Sequence, residues 1–234
     1  MMTPRWNRRK FVAAMAGGPL VLPASRRFAP TGTGPEATPS VPADQALQML
    51  MEGNRRFVAG ELTSTSHLAQ HRDEVVDGQH PFAVIVSCSD SRVPPELVFD
   101  QTLGQLFVIR TAGQVIDEGA RSSIVYGVDA LKASLLLVLG HTGCGAVSAA
   151  LAALTDGEIP GYAYRFAEEI GPAVESVRNQ PGDQLDNAVR ANITMGVDQL
   201  RTAEPVLADA VRGGRVEVVG GYYDLASGEV SILA

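Results

Sequence analysis

Cysteine is nearly absent. Cys88 and Cys144 are the only two in 234 residues, 56 positions apart. A disulfide scaffold needs more of them in a smaller chain, and a redox pair is usually spaced Cys-x-x-Cys, so neither architecture applies. Two isolated cysteines leave three roles open: buried bystanders, metal ligands, or one nucleophile. No stretch offers a stable membrane anchor. The apolar run from Phe11 to Leu22 is too short to span a bilayer and is rich in Ala and Gly. Basic residues are scarce outside the first segment. Residues 1–40 hold six Lys and Arg against Glu36, a charge of +5, so the remainder carries −12 of a formal −7. Nucleic-acid phosphates are neutralised by Lys and Arg, and an acidic body without a basic stripe argues against that partner.

What is present suffices for a full core, with 45% hydrophobic and 19% charged residues. The first 30 residues have a charged head containing Arg8 and Arg9, followed by the short apolar run. This layout resembles a twin-arginine export signal, which implies a periplasmic or extracellular protein, with a cytoplasmic one as the alternative. No Ala-x-Ala cleavage site is visible. Residues 29–42, rich in Pro, Gly, Thr and Ser, read as a linker. The chain therefore divides into a leader and linker, 1–42, and one domain, 43–234.

Within that domain, Leu47, Leu50, Met51 and Phe57 have helical spacing that ends at Gly60. Three short apolar runs, 82–87, 106–110 and 135–140, read as strands, and amphipathic segments at about 119–132 and 145–155 read as helices. Further helices are expected near 163–178, 183–202 and 204–212. Continuous apolar strands alternating with helices predict an α/β fold: a mostly parallel central sheet flanked by helices, with an N-terminal helical arm. The closing stretch, "RVEVVGGYYDLASGEVSIL", predicts a strand hairpin joined at a Ser-Gly turn.

The chemistry gathers at two strand ends. "VSCSDSRV", 86–93, spaces Cys88, Asp90 and Arg92 two apart, which places them on one side of any extended segment. "GHTGCGAV", 140–147, puts His141 and Cys144 on the turn after the third strand, where open α/β sheets bind ligands. A phosphate-binding loop is excluded, because Ala146 and Val147 stand where Lys and Ser or Thr are needed. A phosphatase-like loop is excluded by Pro94, six residues beyond Cys88. Two strand ends can instead deliver Cys88, His141 and Cys144 to one point, a ligand set suited to zinc. His67 and His71 are read as surface residues, although their i, i+4 spacing could also suggest a metal pair.

"CSDSRV" followed by "HTGCG", with "FDQTLGQLFVIRTAG" and "SSIVYGVDAL" between them, resembles the β-class carbonic anhydrases over about residues 43–234. The resemblance implies zinc (Zn2+) on Cys88, His141 and Cys144, and a catalytic dyad of Asp90 and Arg92. It further implies a plant-like subgroup, with Gln79, Phe107, Tyr126 and Gly145 around the substrate. The implied reaction is reversible hydration of CO2 to bicarbonate and a proton by attack of zinc-bound hydroxide. Gln79 and the aromatics would reach the zinc from a partner subunit, so a homodimer or higher even oligomer is implied. In some bacterial members an inhibitory bicarbonate site uses a tryptophan three residues before the first cysteine; that position is Ile85 here, while Arg110 matches that site's arginine. Hydrolysis of CS2 or COS on the same scaffold, or non-catalytic zinc binding with Asp90 on the metal, are the alternatives. An intact Asp90–Arg92 pair argues against the second, because a bidentate guanidinium is well shaped to hold a carboxylate away from a metal.

Overall fold

The computed structural model describes residues 41–156, 161, 163–202 and 205–233. The proposed leader, with Trp6, Arg8 and Arg9, and nearly all of the linker lie outside these residues. Helix α1, Ala43–Ala59, buries Ala46, Leu50, Gly53 and Asn54, positions one and two turns apart that form a single stripe. Gly60 ends it at φ 73, returning its N–H to the carbonyls of Arg56 and Phe57. Gly53 is obligatory, since a Cβ there would stand 1.7 Å from the Phe99 carbonyl oxygen.

Strands β1 (Ala83–Cys88), β2 (Leu106–Thr111), β3 (Leu135–His141), β4 (Glu217–Tyr223) and β5 (Val230–Leu233) form one sheet in the order β2-β1-β3-β4-β5. The first four are parallel and β5 runs antiparallel to β4. Every residue of β1 and β3 is buried, as a sheet covered on both faces requires. Alternate side chains divide the core. Val84, Val86, Leu136 and Val138 face the layer of α4 (Glu118–Val125), α5 (Gly145–Asp156), α6 (Tyr164–Ser176), α7 (Gln184–Thr202) and α8 (Pro205–Arg212). Ala83, Ile85, Leu135, Leu137 and Leu139 face α1 and the short α3 (Pro95–Val98).

Three local features depart from the sequence reading. Short helix α2, Leu68–Glu74, buries nothing and so leaves no apolar periodicity to read. The helix expected over 119–132 stops at Val125 and widens into a π-helical turn, Tyr126–Ala130, before Lys132 at φ 60. The β4–β5 connection is a six-residue loop rather than a tight Ser-Gly turn. Its Asp224 carboxylate accepts the amides of Ala226 and Ser227, and Gly228 takes φ 79. No helix among the described residues is long and apolar enough to cross a membrane.

Candidate functional site

Cys88 ends β1 and His141 ends β3, and the β1–β3 register sets these two strand ends side by side. A three-residue turn then carries Cys144 to the N-terminus of α5. That turn is pinned to β4: Thr142 N–H donates to the Tyr223 carbonyl at 3.0 Å, and Thr142 Oγ1 accepts the Leu225 amide at 2.9 Å. The ligand atoms of Cys88, His141 and Cys144 all lie within 4.8 Å of one another, and all three residues are buried. His141 Nδ1 is 2.9 Å from the Thr142 carbonyl, which only accepts, so Nδ1 carries the proton and Nε2 keeps a free lone pair.

That Nε2 is buried without a hydrogen-bond partner among the described residues, as are Ser87 Oγ, Thr102 Oγ1 and the Gln114 carboxamide. What distinguishes His141 is the company it keeps. Two sulfurs 3.9 Å apart complete a donor set around the orphaned nitrogen. Electrostatics point the same way. The hydrogen bond from Cys144, then those from the amides of Asp90 and Gly113, outweigh burial and hold Cys88 well below the usual thiol range. Cys144 is pushed up by sharing a proton with Cys88 and by burial. A buried pair that shares one proton at this spacing is a place where a cation can take the proton's position. The cluster could therefore hold a metal ion.

Asp90 and Arg92 are joined, but not by the alternation expected of a strand. β1 stops at Cys88, and residues 90–93 form a turn closed by the Val93 amide on the Asp90 carbonyl. The Asp90 side chain accepts the Arg92 backbone N–H at 2.9 Å and then both prongs of its guanidinium, Nε to Oδ1 at 2.9 Å and an Nη to Oδ2 at 2.7 Å. This fork holds the Asp90 carboxyl well below the usual carboxylate range. Asp90 Oδ2 lies 3.9 Å from His141 Nε2, so the carboxylate borders the ligand cluster while being held by Arg92. Arg110 grips the same turn from β2, donating to the carbonyls of Cys88 at 3.0 Å and Asp90 at 2.5 Å.

The remaining residues singled out in the sequence are spread out. Gly145 adjoins Cys144, is exposed, and faces open space where a Cβ would go. Phe107 pairs with Val84 in the register whereas Thr111 pairs with Cys88, so Phe107 sits four residues, about 13 Å, below the strand end. Tyr126 packs on it with ring centroids 5.9 Å apart and is half exposed. Gln79 is exposed on the loop that enters β1 at its far end, about 17 Å from Cys88 by strand length alone. None of these three reaches the ligand cluster of its own chain. His67 is exposed, and His71 pairs with Glu74 at 3.3 Å, away from the cluster.

Comparison with known proteins follows the same lines. A family profile described as carbonic anhydrase matches residues 83–230. The chain is 42% identical to carbonic anhydrase 2 of Mycobacterium tuberculosis over 184 residues, which is 78% of this chain and 89% of that protein. The solved structure of the β-carbonic anhydrase CcaA superposes with a TM-score of 0.64 at 28% identity, covering 80% of this chain and 95% of the other. The tetrameric β-carbonic anhydrases of the ascomycete Sordaria macrospora share the fold, with a TM-score of 0.64 at 22% identity over 81% of this chain and 98% of theirs.

Proposed function

The chain belongs to the carbonic anhydrase family, in its β class, and on that premise we propose that it hydrates CO2 reversibly to bicarbonate and a proton with zinc held by Cys88, His141 and Cys144. The observation that carries the reading is the convergence of three buried donors beside a carboxylate that is forked away from them. Their dimensions suit zinc. A tetrahedral ion with zinc–sulfur bonds of about 2.3 Å separates two sulfurs by about 3.8 Å, and the pair stands at 3.9 Å. Held there, zinc would lower the pKa of a water in its open position and so supply a nucleophile.

The chain's own residues do the rest. Asp90 is ionised at neutral pH, so it accepts a hydrogen bond from the attacking oxygen and turns that oxygen's lone pair toward CO2. Arg92 keeps Asp90 in that role by occupying both carboxylate oxygens, and Arg110 fixes the turn on which both sit. Gly145 leaves the approach to the cluster clear. Phe107 and Tyr126 form an apolar wall suited to CO2, and the Gln79 amide can donate to the oxygen that becomes negative. Because these three lie far from their own Cys88, the reading requires a second copy to supply them, which makes a homodimer the smallest working unit. The leader resembling a twin-arginine signal is read as routing the folded, zinc-loaded enzyme out of the cytoplasm. The test is zinc content and stopped-flow CO2 hydration of the purified protein. One zinc per chain with activity is expected, and Cys144→Ser loses both. A wild-type protein that binds zinc but does not hydrate CO2 would overturn the catalytic reading.

A further inference from the structure

We propose that Asn192, far from the ligand cluster in sequence, is a positioning residue that sets the donor strength of the Cys88 sulfur toward its metal; the inference rests on the zinc site proposed above. Cys88 Sγ accepts two backbone amides, from Asp90 at 3.4 Å and from Gly113 at 3.3 Å. Amides that point at a thiolate withdraw charge from it and fix its direction, as outer hydrogen bonds do for metal ligands generally. The two donors are held differently. Asp90 lies on the turn that Arg110 grips through the carbonyls of Cys88 and of Asp90 itself. Gly113 has no such grip from its own segment. It sits at φ 65 in the single turn of 3-10 helix Ala112–Gln114, and glycine by itself favours no one backbone conformation.

Any side chain there is disfavoured, because the backbone is left-handed and a Cβ would come within 2.7 Å of Ile170 Cδ1 and 3.0 Å of Ala146 Cβ. The site therefore requires its least constrained residue at the point where an amide must be aimed. Asn192, on α7, supplies the constraint. Its Nδ2 donates to the Gly113 carbonyl at 3.0 Å, and the side chain is buried, 5% exposed. A carbonyl oxygen only accepts, so the nitrogen end of the amide must face it. Gly113 is thus pinned at both ends, by its carbonyl to Asn192 and by its N–H to Cys88.

The alternative is that Asn192 merely satisfies a buried carbonyl, and Asn54 provides the comparison. Asn54 is equally buried and bonds the carbonyls of Val98 and Gly228 and the amide of Val230, in contacts that do not involve the ligand cluster. The experiment measures the zinc dissociation constant by chelator competition and, with cobalt in place of zinc, the thiolate-to-metal charge-transfer band. These are read in the wild-type protein, Asn192→Leu and Asn54→Leu, with Asn192→Ser and Asn54→Ser read in the same way if a leucine variant is not recovered folded. Asn192→Leu should bind zinc about 10–100-fold more weakly, because the sulfur is no longer fixed in direction, and should move the cobalt band to lower energy, because the sulfur keeps more of its charge. Asn54→Leu should lower the melting temperature and leave both metal readouts in place. An Asn192 variant with zinc affinity within about threefold of wild type and an unshifted band would overturn the proposal, as would an equal shift in the Asn54 variant. A wild-type protein that takes up neither metal overturns the zinc assignment itself, and this inference with it.

Discussion

Replacing Arg92 by alanine separates holding the metal from using it. The substitution removes both guanidinium bonds to Asp90, at 2.9 and 2.7 Å, and leaves only the backbone N–H of residue 92 on Oδ1. Oδ2 is then free, 3.9 Å from His141 Nε2. In a tetrahedral zinc site with metal–nitrogen and metal–oxygen bonds of about 2.0–2.1 Å, two such ligands stand about 3.3 Å apart. The gap between Oδ2 and His141 Nε2 therefore has only about 0.6 Å to close for the carboxylate to stand at a ligand's spacing from that nitrogen. The surviving backbone N–H holds Oδ1 and leaves Oδ2 able to turn, and Arg110 holds backbone carbonyls rather than the carboxylate. Arg92→Ala should thus keep one zinc per chain and lose at least about 100-fold in CO2 hydration, the lower range for loss of a positioned proton-handling group. Arg92→Lys should recover little, because an ammonium cannot fork two oxygens. The assays are zinc content and stopped-flow hydration with a pH indicator. An Arg92→Ala enzyme that carries full zinc and stays within about tenfold of wild type would refute the restraint argument.

Other expectations follow from the same contacts. Gly113→Ala combines a left-handed backbone with a clash against Ile170 and Ala146, costing about 3 kcal/mol and lowering the melting temperature by about 6–12 °C in a scanning measurement. Bicarbonate should inhibit without cooperativity, since Ile85 is fully buried in the core and Arg110 is committed to two carbonyls; a sigmoidal inhibition curve would contradict this. On the twin-arginine reading of the leader, replacing Arg8 and Arg9 with Lys should trap the protein inside the cell, as fractionation would show. Loss of the leader should also leave tyrosine emission only, because Trp6 is the sole tryptophan.

Most of the fold could be read from the chain because its strands and long helices bury continuous or periodic apolar residues. β1 and β3 are apolar throughout, as parallel strands covered on both faces must be, and α1, α5, α6, α7 and α8 fall within a few residues of their expected bounds. What could not be read is structure held by backbone geometry rather than by burial. α2 buries no residue, and the π-turn at Tyr126–Ala130 preserves helical apolar spacing while changing the winding. At the site, residue types and spacing pointed to the ligand cluster, but the joining of Asp90 and Arg92 depends on a turn that period-two reasoning misplaced. Asn192 was invisible for a related reason. A buried asparagine in a helix carries no motif, and its significance lies in the carbonyl it meets 79 residues away.

The distances from Gln79, Phe107 and Tyr126 to their own Cys88 carry a consequence that can be tested without a structure of the assembly. Among the described residues β2 is an edge strand, and a twofold axis beside that edge and perpendicular to the sheet would set two copies of the strand antiparallel. In such a pair, the lower end of one β2, where Phe107 lies, meets the upper end of the other, where Arg110 grips the Cys88 turn. Each site would then draw its ligands and its Asp90–Arg92 pair from one copy, and Gln79 and the aromatics from the other. Gln79→Ala should cost about 100-fold or more in activity, the usual loss for one donor to a developing oxyanion, and Arg92→Ala is expected to be similarly inactive. The two lesions fall in different halves of the site. Co-expressed in equal amounts with random pairing, half of the dimers are mixed and each mixed dimer contains one intact site, so about a quarter of the wild-type activity returns. If both residues served the site of their own chain, every site would carry a lesion and the mixture would stay as inactive as its parents.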